Sequence, residues 1–273
     1  YKRLDLILIK NIVKRNFAAI QKNFQEFCQL ITNLILSTSD IYSLKMLSDI
    51  IYHLSHDYVI KSQQKEIWEE YTEYLVLYRS QNDLFPFCIH LLTLSMIDKQ
   101  FYSVYQTFLD EIIPEIIFLG LQHDNIEIKL ISTVIFVKIS KKVEANFLDT
   151  YQSHYDLICQ IAGNSLKMSE DHFYRFWTYL FKIDNQISAP LFEIAYSILT
   201  TESLQPNNRN AILRFIIQRS ELINPDDIED IIACYFRTLY EIEELDDTTF
   251  IFKNLTKIDE KSYEIFKILL CEF

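Results

Sequence analysis

Apolar residues recur three and four positions apart along almost the whole chain, the spacing of helices that each bury one face. Ile128, Ile131, Ile135 and Ile139 form one such stripe, and Phe173, Phe176, Trp177 and Leu180 another. Polar clusters divide the stripes into pairs. First helices of each pair are expected near residues 20–37, 65–78, 99–120, 145–163, 186–201 and 225–241. Second helices are expected near 41–55, 84–97, 125–142, 171–183, 208–220 and 259–271. A further helical pattern, Leu4 to Ile20, is already under way at the opening Tyr1, which reads as a piece of a longer protein. No interdomain linker interrupts the series. The one clearly non-periodic stretch is about 241–258, EIEELDDTTFIFKNLTKI.

The pairs repeat. In IIPEIIFLGLQHDNIEIKLISTVIFVKIS, an apolar helix carrying Pro114 ends near Gly120, a polar turn follows, and Asp124 opens a second helix with Ile128 and Lys129. The same opening appears at Asp40, with Leu44 and Lys45 in the equivalent places. A degraded copy starts at Asn82 with Pro86 in its first turn, where proline is tolerated. Glu170 precedes the pair Tyr174 and Arg175, and another opening lies near Asn207 or Asn208, before a helix from Ala211 to Ser220. The starts, near 40, 82, 124, 170 and 207, repeat every ~40 residues, the range of HEAT repeats. An acidic or Asn residue there can cap free backbone N–H groups and suits the positive helix end. One hairpin cannot bury its apolar faces alone, whereas stacked hairpins can. The expected fold is therefore all-α, a HEAT-repeat superhelical solenoid of about six hairpins over residues 1–273.

Composition agrees. Only 2 glycines and 5 prolines occur in 273 residues, too few for the turns of a sandwich, barrel or phosphate-binding sheet. The 49% hydrophobic share supplies a core rather than a disordered chain. A net charge of −12 argues against nucleic acid as a direct partner, since phosphates need a basic stripe. It suits basic protein partners. No apolar run reaches the ~20 residues of a membrane span, and no signal peptide opens the chain, so membrane insertion is not expected. The five cysteines (Cys28, Cys88, Cys159, Cys234, Cys271) include no C-x-x-C and read as free thiols in a reducing compartment.

Candidate chemistry is sparse. The histidines at 53, 56, 90, 123, 154 and 172 are scattered; His53 and His56, with Asp49 one turn earlier, are the nearest thing to a metal site and read instead as surface or interhelical polar positions. There is no H-E-x-x-H, G-x-S-x-G or phosphate-binding glycine loop, so neither an enzyme nor a cofactor is expected. The 20 phenylalanines and 17 tyrosines sit at helical spacing and read mainly as core. The distinctive feature is acidic: Glu241, Glu243, Glu244, Asp246 and Asp247 follow a helix that already carries Asp226, Asp227, Glu229 and Asp230. So dense a run repels itself and reads as a solvated loop between the two helices of one repeat. Long loops inside compact repeats are often functional, and this one is the candidate partner-binding segment.

The HEAT phase, the hairpin quoted above and the segments that follow it (NFLDTYQSHYDLICQIAGN, ESLQPNNRNAILRFIIQRSELI and YEIEELDD) resemble the importin-β (karyopherin) family, above all the large import receptors for ribosomal proteins and histones. The resemblance implies a nuclear transport receptor segment of the cytoplasm and nucleus. Its second helices would line a concave face that holds basic cargo, and the Ran GTPase would release that cargo. In the family, acidic insertions of this kind contact Ran or cargo, which implies the same of Glu241, Glu243, Glu244, Asp246 and Asp247. The alternative is a HEAT scaffold subunit of a stable assembly, such as a phosphatase scaffold, a coat adaptor or a ribonucleoprotein complex.

Overall fold

The computed structural model describes residues 3–61, 68–141, 147–183, 187–201, 203–242, 250 and 254. All regular structure among the described residues is helical, and none of these helices is long and apolar enough to cross a membrane. The chain divides into two compact units, Tyr1–Ile135 and Phe136–Phe273.

The first unit holds α1 (Arg3–Arg15), the short α2 (Phe17–Gln21), α3 (Phe24–Leu36), α4 (Ile41–His56), α5 (Glu69–Tyr78), α6 (Phe85–Ile97), α7 (Lys99–Gln122) and most of α8 (Ile126–Ser140). The expected helix from Leu4 to Ile20 is broken at Asn16, and α3 begins only after Asn23. Both asparagines leave the helical region, at φ −142° and −126°; asparagine favours such positions because its amide competes for backbone groups. α4 lies against α6, and α1 lies against α4. Behind this row, α3 packs on α4, while α5 and α7 pack on α6. α6 buries Phe85, Phe87, Ile89, Leu91 and Leu92, more than one face of the helix, as befits a helix with neighbours on several sides. The packing of α7 on α8 depends on Gly120. A Cβ there would stand 2.0 Å from Ser132 Oγ and 3.1 Å from Ser132 Cβ, so even an alanine displaces that hydroxyl from its bond to the Ile128 carbonyl and presses on the facing helix.

The second unit holds α9 (Phe147–Gly163), α10 (Glu170–Leu180), α11 (Ala189–Thr201), α12 (Pro206–Ile217) and α13 (Ile228–Glu241), joined partly by short 3-10 turns. α10 lies against α12, α11 packs on α9 and α12, and α13 packs on α12. Its core centres on fully buried Trp177, whose ring meets Phe215 edge-on at 5.4 Å and whose Nε1 donates to Ser165 Oγ at 3.2 Å. Arg219 is also fully buried. It donates to the carbonyls of Phe215 and Ile183, each at 3.0 Å, and covers the Phe215 ring at 3.8 Å.

The helix pairs fall where the hydrophobic period places them, except that 259–271 lies outside the described residues. The capping residues differ. Asp40 does cap α4, accepting from Ser43 N at 3.0 Å. At α8 the cap is Asn125, which accepts from Glu127 N at 2.9 Å, rather than Asp124. At α10 it is Ser169 rather than Glu170. α6 starts after Leu84 without a side-chain cap, and Pro86 occupies its first turn as expected. Asn207 and Asn208 lie inside α12, which starts at Pro206. Asp98, which the repeat phase did not single out, caps α7 by accepting from Gln100 N and Phe101 N at 2.9 and 3.0 Å.

Candidate protein-binding groove

A groove runs between α10 and α12. Two adjoining hollows form it, of about 670 and 160 Å³, and Tyr174 lines both. The larger lies at the starts of the two helices, where Glu170 and Asp171 face Gln205, Pro206, Asn207 and Asn208, and Glu241 closes it from the end of α13. Helix starts leave backbone N–H groups without intrahelical partners, and α12 has no side-chain cap to take them. The smaller hollow continues between Thr178, Phe181 and Lys182 on one side and Asn210, Ala211 and Arg214 on the other.

Charge is arranged by position along the groove. At the acidic end Asp171 is 3.4 Å from Arg175, and Glu241 accepts from Arg209 at 3.0 Å. Glu170 has no ion-pair partner among the described residues. At the other end Arg214 stacks over the Phe181 and Phe250 rings, 5.5 and 4.9 Å from their centroids. Lys182 has no ion-pair partner there among the described residues. Between the ends, Asn210 is only 4% exposed, and its Oδ1 accepts no hydrogen bond among the described residues. Leaving such a group unsatisfied costs about 1–3 kcal/mol.

Of the acidic residues marked out by the sequence, Glu241 is the one placed in this groove. Glu243, Glu244, Asp246 and Asp247 lie outside the described residues. Asp226, Asp227, Glu229 and Asp230 gather at the start of α13, where negative charge complements the helix dipole. They therefore have a local role apart from the groove. Asp227 also accepts from Tyr196, and this bond, with burial and the nearby acids, pushes that phenol up to about 12. Asn210 and Lys182 were not distinguishable in sequence from ordinary helix positions.

The histidines near α4 form a different arrangement. Asp49 is engaged by Lys10 of α1 and lies 3.5 Å from His90 of α6. Burial pushes its carboxyl up, but the bonds from His90 and Lys10 outweigh this and hold it at about 2. His56 sits 3.3 Å from Asp57 and 3.2 Å from Asp98, which also accepts from Tyr52 at 3.0 Å. His53 is half-buried; desolvation, helped by Lys14, pushes it down to about 4. No group of three metal-ligand side chains stands together among the described residues. The four described cysteines are free thiols, and burial pushes that of Cys28 up to about 12, far from a reactive thiolate.

No family model, curated protein or solved structure matches this chain.

Proposed function

We propose that this chain is a HEAT-type segment of a nuclear transport receptor of the importin-β kind, which holds basic protein cargo and responds to Ran. The observation that carries the reading is the groove: two second helices, α10 and α12, bring their starts together beside the acidic end of α13. A surface of that make-up draws in lysine- and arginine-rich segments and weakens with salt. The net charge of −12 and the acidic run that continues from Glu241 support the same class of partner. The regular pairing of helices, with second helices adjacent to one another in each unit, supports a stacked-repeat scaffold over an enzyme.

The test is a pull-down with the full-length protein against Ran loaded with GTP and with GDP, followed by identification of the proteins released. GTP-selective binding that displaces basic proteins is the expected result. Absence of Ran binding in both states, with one protein retained at constant ratio, would replace it with the second reading, a scaffold subunit of a permanent assembly.

A further inference from the structure

We propose that the α10–α12 groove seats one extended segment of a partner protein, with a lysine or arginine at one end and an aspartate or glutamate about five residues away. This rests on the protein-binding reading above and deepens it by naming the segment.

Two exposed charges and one buried amide define the segment. Once Asp171 and Glu241 are paired with Arg175 and Arg209, the acidic end keeps Glu170 uncompensated. The opposite end keeps Lys182, beside an Arg214 already stacked on two aromatic rings. Between them Asn210 lines the smaller hollow almost fully buried, and its carbonyl oxygen meets no donor among the described residues. An extended chain presents free backbone N–H groups to such an acceptor, whereas a helix uses its own internally. The occupant is therefore a strand. From Glu170 to Leu180, just before Lys182, α10 rises ~15 Å at 1.5 Å per residue, which an extended chain at ~3.3 Å per residue covers in about five residues. A nucleic acid does not fit, because its phosphates would meet Glu170, Asp171 and Glu241. The half-exposed ring of Tyr174, shared by both hollows, gives the strand an apolar wall for an aliphatic side-chain stem.

The experiment measures fluorescence anisotropy of labelled peptides of about ten residues on the full chain. One peptide carries lysine and glutamate five positions apart; a second has the glutamate changed to lysine; a third doubles the spacing. The first should bind about ten-fold more tightly than the other two. Glu170→Lys, Lys182→Glu and Asn210→Ala should each weaken it by a similar factor. Asn210→Ala should do so with Tm unchanged or raised, which separates lost binding from lost folding. Equal affinity for all three peptides, or full affinity in the Asn210→Ala chain, would overturn the proposal. Capture of basic proteins by the full-length protein, with none of the peptides bound, would overturn the groove and leave the protein-binding reading standing. Failure to capture any basic protein would remove that reading too.

Discussion

Polar side chains pair across the α1–α4–α6 row of the first unit, whereas hollows lie between α10 and α12 in the second. Between α1, α4 and α6 the polar side chains answer one another: Lys10 with Asp49, Asp49 with His90, Tyr52 and His56 with Asp98. Between α10 and α12 the charges stand at opposite ends, a buried amide oxygen has no donor among the described residues, and hollows of about 670 and 160 Å³ remain. Similar helix pairs thus serve two ends. A paired seam stabilises its own unit, while an unsatisfied one keeps interaction capacity for something outside it. If that distinction is physical, the second unit should owe its stability to aromatic packing and the first should owe a measurable share to polar pairing.

The largest effect is expected from Trp177→Ala. The side chain is fully buried against Phe176 and Phe215 and satisfies Ser165, so its loss should cost about 3–5 kcal/mol in chemical denaturation. A loss below about 1 kcal/mol would mean that the second unit is not organised around this ring. Asp98→Ala should come next. It removes the cap of α7 and the shared acceptor of Tyr52 and His56 at once. A cap alone is worth ~1 kcal/mol, and the side-chain bonds add to it, so about 2 kcal/mol is expected. Asp98→Asn, which keeps part of the capping, should recover some of that loss.

How much of this was legible in the sequence follows from which signals are periodic. Helix positions were, because burial of one face imposes a 3.6-residue period that single substitutions do not erase. Capping residues were legible only to within a position or two. Asp124 and Asn125 are neighbours of equal capping ability, and only the backbone turn decides which side chain reaches the N–H groups; Ser169 is the better cap by residue type than Glu170, which belongs in the first turn. Asp98 lies outside the repeat phase, which marks the starts of second helices, because it starts a first helix. The acidic run was visible as composition, and Glu241 does meet the groove. Asn210 could not be found that way, since an amide inside a helix reads the same whether or not a donor faces it.

A smaller effect should appear on acidification, and it should come from the first unit. His53 has its pKa lowered to about 4 by desolvation, with Lys14, Asp49, Lys10 and Asp57 around it. A depressed folded-state pKa means that the stability it contributes is present above the unfolded value and lost as the pH falls through the folded one. His53 therefore releases its share between about 6.5 and 4. Asp49, lowered from 3.8 to about 2, releases its share below that. Following unfolding midpoints against pH should give two successive losses, with Asp49→Asn removing only the lower one. A single transition untouched by that substitution would contradict the pairing of Lys10, Asp49 and His90.

The smallest effect is the most discriminating, because its sign opposes the usual one. Most core substitutions destabilise. Asn210→Leu replaces a buried amide, whose oxygen finds no donor among the described residues, with an apolar side chain of similar size. The removed desolvation penalty should outweigh the strain of repacking against Ala211 and Thr178, leaving a gain of up to about 1 kcal/mol. An unfolding midpoint raised or unchanged in urea would mark the amide as a group kept at a cost to the fold, as binding sites commonly are. A loss of more than about 1 kcal/mol would show that Asn210 has a partner in the folded chain. The α10–α12 seam would then be closed like its counterpart in the first unit, and the contrast between the two would disappear.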